Sequence, residues 1–292
     1  LSSSVLILGA SSMLGTALEA MLKSENFDVI KCGRNINDDV FLDLKKSKDI
    51  TLNDDIKVDA IFHCASSFSD NSSRGSFHNE LTNSTSSFVV AELASKTSAK
   101  SLIYAGTMSS EKRSTGEISS YGLSKRRGEE LLSYILEKSN QQFCSLRFPQ
   151  LIDEEGKCVK HQPWFGRVIK YASSNQVLRL PREKGVRNFM HVDDAAKFMF
   201  LAMLRNLEGV HPICHPEDHT YQEVFHLAKK IFKTKATLKI AMEKRPFTQE
   251  PFKKTLEIFC RLGYRPASSL KDILNLIDSQ STADKFGSFD VF

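Results

Sequence analysis

Residues 5–15 read Val-Leu-Ile-Leu-Gly-Ala-Ser-Ser-Met-Leu-Gly, a hydrophobic run followed by a glycine-containing turn. The run predicts a buried strand, and the residues from Met13 onward predict a helix. Gly9 can form the tight turn, and Gly15 allows the helix to pack closely on the strand. The first turn of such a helix offers free N–H groups to a pyrophosphate. An ordinary strand–helix turn is the alternative, but the context favours a dinucleotide-binding loop.

Short hydrophobic runs alternate with longer amphipathic runs through the first half of the chain. The predicted strands are Val5–Leu8, Val29–Cys32, Ala60–His63, Leu102–Ala105 and Phe143–Arg147, and the predicted helices between them are Met13–Ser24, Thr82–Lys96 and Ser124–Glu137. This alternation predicts an α/β fold with a doubly wound parallel sheet. The Ser- and Asn-rich segment Ser66–Phe77 is expected to be a mobile loop.

The alternation becomes less regular after Pro149, which predicts a second, smaller lobe. We expect a Rossmann-type domain over residues 1–148 plus 189–212, and a C-terminal substrate-binding lobe over 149–188 plus 213–292. Later predicted elements are a helix over Val192–Arg205, a strand over Val210–Cys214 and a helix over Tyr221–Phe232.

Composition excludes several classes of protein. The net charge of +5 suits an anionic small ligand and is too small to imply nucleic acid. No apolar run approaches the ~20 residues of a membrane span. Six scattered cysteines without a C-x-x-C pair predict reduced thiols and a cytoplasmic location. His211, His215 and His219 are evenly spaced, but Pro212 and Pro216 exclude a continuous helix, so no metal is expected.

The end of the second predicted strand bears on the cofactor. Gly33 stands where NAD-binding proteins place an acidic residue that bonds the ribose 2′-OH. Arg34 follows, and its guanidinium favours a 2′-phosphate, although it could also stack on adenine or face solvent. We therefore expect NADP, with NAD as the alternative. Asp43 could bond the adenine amino group or cap a helix.

The segment Tyr121-Gly-Leu-Ser-Lys125 indicates chemistry. Residues at i and i+4 share one face of a helix, so Tyr121 and Lys125 point the same way. A nearby ammonium lowers a tyrosine pKa, and the phenol can then exchange a proton with a carbinol oxygen while hydride moves to or from a nicotinamide. Thr107, just past a predicted strand, could orient that oxygen or could simply be a turn residue.

These features resemble the extended short-chain dehydrogenase/reductases, the NAD(P)-dependent epimerase/dehydratase family. Further matching stretches are Ile61-Phe-His-Cys-Ala65, Asn83, Leu102-Ile-Tyr-Ala-Gly-Thr107, Leu146-Arg-Phe-Pro149, Arg187-Asn-Phe-Met-His-Val-Asp-Asp194 and Leu262-Gly-Tyr-Arg-Pro266. The resemblance implies a Ser/Thr–Tyr–Lys mechanism on a nucleoside-diphosphate sugar, in a homodimer. The implied catalytic residues are Tyr121, Lys125 and Thr107, and the implied cofactor-binding residues are Gly9, Ser11, Ser12, Met13, Leu14, Gly15, Arg34, Asp43, Leu44, Ala65 and Lys125.

The resemblance also assigns a substrate side. Arg187 would contact the diphosphate, and the alternative is a structural ion pair with Asp193 or Asp194. Gln150 stands where many members have an asparagine that touches the substrate, and Trp164 could line the lobe or simply pack.

Met108 and Ser109 follow Thr107 in place of the acidic pair of the 4,6-dehydratases, so dehydration loses support. We expect an NAD(P)-dependent epimerase or reductase of a nucleotide sugar. The alternatives are a reductase of a non-nucleotide carbonyl compound and a non-catalytic NADP-sensing protein.

Overall fold

The hydrophobic runs of the first half of the chain form one parallel sheet. The computed structural model describes residues 3–46, 50, 56–114, 116–249, 251–254 and 256–289. Its strands are β1 Ser4–Leu8, β2 Asp28–Gly33, β3 Val40–Phe41, β4 Ala60–His63, β5 Ser101–Thr107, β6 Gln142–Phe148, β7 Gln150–Ile152, β8 Val177–Pro181, β9 Glu183–Gly185, β10 Phe189–His191, β11 Gly209–Pro212, β12 Thr237–Ala241 and β13 Phe247–Gln249. Seven of them form the sheet in the order β11-β6-β5-β4-β1-β2-β3. The α/β fold with a doubly wound parallel sheet is confirmed.

The chain order reverses at β1, which lies between β2 and β4. Leu8 is in register with Cys32 on one side and with His63 on the other. Ligands of doubly wound sheets bind at such a reversal, outside the carboxyl ends of the strands. The segments after Leu8 and His63 therefore define the edge at which a ligand is expected.

The helices are α1 Met13–Ser24, α2 Ser73–Glu80, α3 Ser87–Lys96, α4 Ser120–Lys138, α5 Pro163–Ala172, α6 Val192–Leu204, α7 Tyr221–Phe232, α8 Glu257–Leu262 and α9 Leu270–Ser279. The prediction of a loop over Ser66–Phe77 is wrong at its end, because α2 starts at Ser73. Ser72 caps this helix by accepting the N–H of Gly75 at 3.1 Å. A π-helical turn, Leu81–Thr85, lies between α2 and α3, so the predicted helix over Thr82–Lys96 is also interrupted.

The chain divides into two compact units. The first unit comprises Leu1–Phe148, Ala195–Ile213 and Leu256–Tyr264, and the second comprises Pro149–Asp194, Cys214–Thr255 and Arg265–Phe292. The first unit contains the seven-stranded sheet. The second contains three two-stranded parallel sheets, which pair β7 with β10, β8 with β12 and β9 with β13. In the described part of the chain, no helix is long and apolar enough to cross a membrane.

Candidate active site

The turn after β1 has the close backbone packing that a dinucleotide loop requires. Gly9 has a φ of +88°, and a Cβ added to it would lie 2.6 Å from the backbone nitrogen of Ala65, which follows β4. A Cβ on Gly15 would collide with the carbonyl oxygen of Gly9. Both glycines are therefore required sterically.

The loop also opens a capped helix. The Oγ atom of Ser12 accepts the N–H of Gly15 at 3.0 Å, so Ser12 is the N-cap of α1. Ser11 is exposed, Met13 is half-buried and Leu14 is buried. The N–H groups of the first helical turn lack intrahelical acceptors, and the dipole there favours an anion. The geometry of the loop is compatible with a pyrophosphate at this helix N-terminus.

Three residues expected near the adenosine have different surroundings. Arg34 is exposed after β2. Asp43 accepts the N–H of Lys45 at 3.1 Å through Oδ1, but residues 44–46 form a turn and not the start of the helix that its alternative interpretation requires. Leu44 is buried in the hydrophobic core of the first unit. Its side chain serves packing, so a direct role of that side chain at the cofactor loses support.

Tyr121, the second residue of α4, lies beside two hydroxyl groups. Burial raises the pKa of Tyr121 to about 12, and hydrogen bonds with the hydroxyls of Thr107 and Ser66 oppose this increase. The ring of Phe68 packs against that of Tyr121 edge to face, with centroids 4.7 Å apart. Thr107 Oγ1 also accepts the N–H of Ser109 at 3.2 Å. Thr107 therefore both caps a turn and lies at the Tyr121 hydroxyl.

Lys125 lies one turn further along α4 and is buried. Its Nζ atom is 3.8 Å from the centroid of the Tyr104 ring. Burial lowers the pKa of Lys125 to about 7, and the charge of Glu129 opposes this decrease. The net shift of the Tyr121 pKa is upward, because burial outweighs the hydrogen bonds with Thr107 and Ser66.

In the second unit, Arg187 is buried against aromatic rings. Its guanidinium carbon lies 4.1 Å from the centroid of the Tyr221 ring and 4.9 Å from that of Phe247. Its Nη1 atom is 3.5 Å from Glu183 Oε1. Asp193 or Asp194 was expected from the sequence as a possible ion-pair partner of Arg187, but the ion pair observed is with Glu183.

Glu183 also binds the start of α7. Its carboxylate accepts the N–H of Tyr221 at 2.8 Å and that of Gln222 at 2.9 Å. A carboxylate at a helix N-terminus is stabilised by the helix dipole. Glu183 therefore fixes both α7 and the guanidinium of Arg187.

Trp164 and Gln150 belong to the same unit. The Trp164 ring is half-buried and packs edge to face on Phe247, with centroids 4.8 Å apart. Gln150 donates to Gln162 Oε1 at 2.6 Å, whereas its own Oε1 is buried and accepts no hydrogen bond from the described residues. Such an unsatisfied acceptor costs free energy unless a ligand or water supplies a donor.

Comparisons with known proteins agree with this geometry. The model of the NAD dependent epimerase/dehydratase family matches residues 5–214. The chain belongs to this family. No curated protein matches the chain significantly.

Three solved structures illustrate the likeness. UDP-N-acetylglucosamine 4-epimerase from Bacillus cereus is 19% identical with a TM-score of 0.78, and the match covers 99% of each chain. UDP-glucose 4-epimerase from Bifidobacterium longum in complex with NAD⁺ and UDP is 15% identical with a TM-score of 0.74, covering 98% of this chain and 100% of that one. RMD from Pseudomonas aeruginosa complexed with NADPH is 14% identical with a TM-score of 0.77, covering 97% and 100%. At these identities the likeness shows the fold.

Two asparagines hold the loop that carries Ser66 and Phe68, a role that was not predicted from the sequence. Asn83 accepts the N–H of Ser67 at 2.7 Å and donates to the carbonyl of Ser67 at 2.8 Å. It also donates to the Oγ atom of Ser124, which precedes Lys125, at 3.0 Å. The side chain thus ties the loop to the helix that carries the predicted catalytic pair.

Asn79 repeats the pattern one helical turn earlier. It accepts the N–H of Ser69 at 2.9 Å and donates to the Ser69 carbonyl at 3.1 Å and to Ser120 Oγ at 3.0 Å. We call Asn79 and Asn83 the asparagine clamp. The family motif indicates Asn83, but no local pattern in the sequence indicates Asn79 or Ser66.

Among the described residues, no group of three or more His, Cys, Asp or Glu side chains is placed to hold a metal ion.

Proposed function

We propose that this protein is an NAD(P)-dependent epimerase or reductase that acts by hydride transfer on a nucleoside-diphosphate sugar. The observation that carries the proposal is the arrangement in the first unit. Tyr121 lies at the hydroxyl of Thr107, which ends β5, and Lys125 lies one turn beyond Tyr121. The glycine loop follows β1, which lies in the same seven-stranded sheet as β5. A protein that only senses a dinucleotide has no need of this proton-transfer arrangement.

The Tyr121 hydroxyl would exchange a proton with the substrate oxygen at which hydride transfer occurs. The hydroxyl of Thr107 would orient that oxygen, and that of Ser66 would share the phenol proton. Lys125 would supply positive charge next to this site when protonated. A nicotinamide dinucleotide bound at the Gly9 loop would supply the hydride chemistry.

The cofactor class is supported by the loop geometry and by the similar solved structures, of which one is a complex with NAD⁺ and another a complex with NADPH. Arg34 supports NADP, because a guanidinium can bind a 2′-phosphate with two hydrogen bonds. Asp38 opposes NADP, because its carboxylate lies where a side chain on Gly33 would extend and would repel a 2′-phosphate.

The substrate class is supported by the second unit. The similar solved structures of UDP-sugar epimerases share this fold over almost the whole chain. Arg187 offers a buried cation for a diphosphate, Gln150 offers a buried acceptor, and Trp164, Tyr221 and Phe247 offer aromatic surface. We include in this proposal a homodimer and a cytoplasmic location. The exposed rings of Phe88 on α3 and Tyr134 on α4 support the homodimer. The six free thiols support the cytoplasmic location.

Replacement of Tyr121 by phenylalanine tests the proposal. The substitution removes the proton-transferring hydroxyl, so turnover should fall by at least ~10²-fold, the scale of general acid–base catalysis, while cofactor affinity is retained. Turnover is measured with a panel of nucleotide sugars, by product analysis and by the absorbance of the reduced nicotinamide. Tyr134→Phe is the matched control, because it removes a phenol hydroxyl from the exposed part of the same helix and keeps the aromatic ring there.

Near-wild-type turnover in Tyr121→Phe would remove the proposed mechanism. Turnover only with carbonyl compounds that lack a nucleotide would favour the alternative reductase. Cofactor binding without any turnover in the wild type would favour the sensing protein.

A further inference from the structure

The end of β2 lies next to the glycine loop. The carbonyl oxygen of Cys32 accepts the N–H of Gly9 at 2.7 Å, and Gly33 is the next residue and the last of the strand. A carboxylate at a strand end in this position bonds the ribose 2′-OH of NAD in dinucleotide-binding folds. The sequence has glycine there, which is why it favours NADP.

The structure places a carboxylate at this position from another residue. A Cβ added to Gly33 would lie 2.7 Å from Asp38 Oδ2. The Asp38 carboxylate therefore occupies the space into which a side chain at residue 33 would extend. Burial raises the pKa of the Cys32 thiol to about 12, and the negative charge of Asp38 contributes to this increase.

A closed turn holds this carboxylate in place. The N–H of Asp38 donates to the carbonyl of Asn35 at 3.0 Å, and Asp38 Oδ2 accepts the N–H of Asn35 at 3.2 Å. Beyond the turn, Asp39 accepts the N–H of Lys31 at 2.8 Å, which ties the turn back to β2. The side chain of Asp38 is thus held over the strand end by the backbone of its own turn.

We infer that Asp38 replaces the missing strand-end acid and selects NAD over NADP. This inference rests on the proposed function, because it requires a dinucleotide at the Gly9 loop. The carboxylate would accept a hydrogen bond from the 2′-OH of NAD. The 2′-phosphate of NADP would bring like charges together, and such repulsion is an effective way to exclude a ligand.

Arg34 favours NADP, but its side chain is less well ordered for binding the ribose than that of Asp38. Its side chain is exposed, and an exposed charge pair gains little because water screens it and the long side chain must be ordered. Asp38 is half-buried and already ordered by its turn. The carboxylate should therefore decide the preference.

Calorimetric titration of NAD and of NADP into the purified protein tests the inference without a substrate. We expect the wild type to bind NAD about ten- to a hundredfold more tightly, the range for one hydrogen bond to a charged group. Asp38→Asn should lose most of this preference, chiefly by gaining affinity for NADP. The matched control is Asp39→Asn, which removes the same charge one residue away, keeps an amide oxygen for the N–H of Lys31, and should therefore keep the preference.

A second variant moves the carboxylate back to the strand. Gly33 is not among the residues with positive φ, so an aspartate is compatible with its backbone once Asp38 is shortened. Gly33→Asp combined with Asp38→Ala should restore the NAD preference that Asp38→Ala alone loses. This rescue would show that the position of the carboxylate, not the integrity of the turn, sets the preference.

The outcomes separate the inference from the proposed function. A wild type that binds NADP more tightly, or an unchanged preference in Asp38→Asn, would overturn the role of Asp38 and leave the proposed function standing. A folded wild type that binds neither dinucleotide would overturn both.

Discussion

At the scale of single residues, burial sets the protonation of the proposed catalytic pair. It raises the pKa of Tyr121 to about 12 and lowers that of Lys125 to about 7. Near neutral pH the phenol therefore carries its proton, and burial disfavours the charged form of Lys125. This state suits Tyr121 as a proton donor, the role that reduction of a keto group requires.

Arg187→Ala tests the proposed diphosphate site. A buried Arg–phosphate contact is worth roughly 1.5–3 kcal/mol, so calorimetry should show nucleoside-diphosphate binding weakened about ten- to a hundredfold, with cofactor affinity unchanged. The melting temperature should fall as well, because Glu183 would lose its cationic partner in a buried environment. Arg179→Ala is the control, since Arg179 is exposed in the same unit and pairs with Glu243.

Glu183→Gln separates ligand binding from structure at this site. It removes the negative charge but keeps an amide oxygen that can still accept a hydrogen bond from the guanidinium of Arg187. Retained nucleotide affinity with a lower melting temperature supports the ligand role of Arg187. If Arg187→Ala lowers the melting temperature and leaves nucleotide affinity unchanged, Arg187 is structural, and a substrate without phosphate becomes the better proposal.

The candidate site residues that depend on local spacing could be predicted from the sequence. Those that depend on how the chain folds back on itself could not. Tyr121 and Lys125 follow from the i and i+4 rule, and Thr107 from its place at a strand end. The position of the Asp38 carboxylate beside Gly33 could not be predicted, because it depends on the conformation of the turn between the two residues. Ser66 could not be predicted at Tyr121, because 55 positions separate them in the chain and the clamp fixes the loop.

At the scale of elements, the asparagine clamp explains how a polar segment forms ordered structure. The Ser- and Asn-rich composition predicted a loop from Ser66 to Phe77, yet α2 starts at Ser73. Asn79 and Asn83 lie one helical turn apart and satisfy the backbone of Ser69 and Ser67. Their spacing is visible in the sequence, but their partners are not, because residues 120 and 124 are 41 positions away.

Asn83→Ala should release this loop. The change leaves the N–H and C=O of Ser67 without the partner they have now, and each unsatisfied group costs about 1–3 kcal/mol unless water reaches it. We expect faster amide hydrogen exchange over residues 66–70 and a loss of about 2–4 kcal/mol in the free energy of unfolding. Hydrogen-exchange mass spectrometry and urea unfolding measure the two quantities.

Asn71→Ala is the matched control for the clamp. Asn71 lies in the same segment and accepts one hydrogen bond, from the N–H of Ser120 at 2.9 Å. It should change exchange and stability less than Asn83→Ala. Equal effects of the two substitutions, or unchanged exchange over residues 66–70 in Asn83→Ala, would show that the clamp does not hold the loop.

At the scale of the whole molecule, the division into two units differs from the expected domain bounds in three places. Residues 189–194 belong to the second unit, Ile213 belongs to the first, and Leu256–Tyr264 returns to the first. The return is explained by packing, because Phe259 stacks on Phe198 with centroids 5.7 Å apart, and Tyr264 packs edge to face on the same ring at 5.0 Å. Such contacts join residues about 60 positions apart, so periodicity along the chain does not reveal them.

Lys125 also affects the stability of the whole molecule. Its pKa is about 7 in the folded protein and has the usual value of 10.5 when the chain is unfolded. Below about pH 7 the folded protein must keep a buried ammonium, which the unfolded chain exposes to water. Lys125 therefore lowers stability most at acid and neutral pH, and this loss disappears as the pH rises from about 7 towards 10.5.

Lys125→Met should consequently stabilise the protein in a pH-dependent way while abolishing turnover. Each unit of pKa displacement corresponds to about 1.4 kcal/mol, so the advantage of the variant should shrink by several kcal/mol between about pH 6 and about pH 10. Titrating groups far from Lys125 cancel in the difference, whereas His63, Cys64 and Glu129 interact with its charge and contribute to it. Urea unfolding at several pH values measures it, with Lys138→Met, on the exposed end of the same helix, as control. A difference that stays constant with pH would mean that Lys125 keeps its ordinary pKa in the folded protein, and that burial does not set the charge state of the proposed catalytic pair.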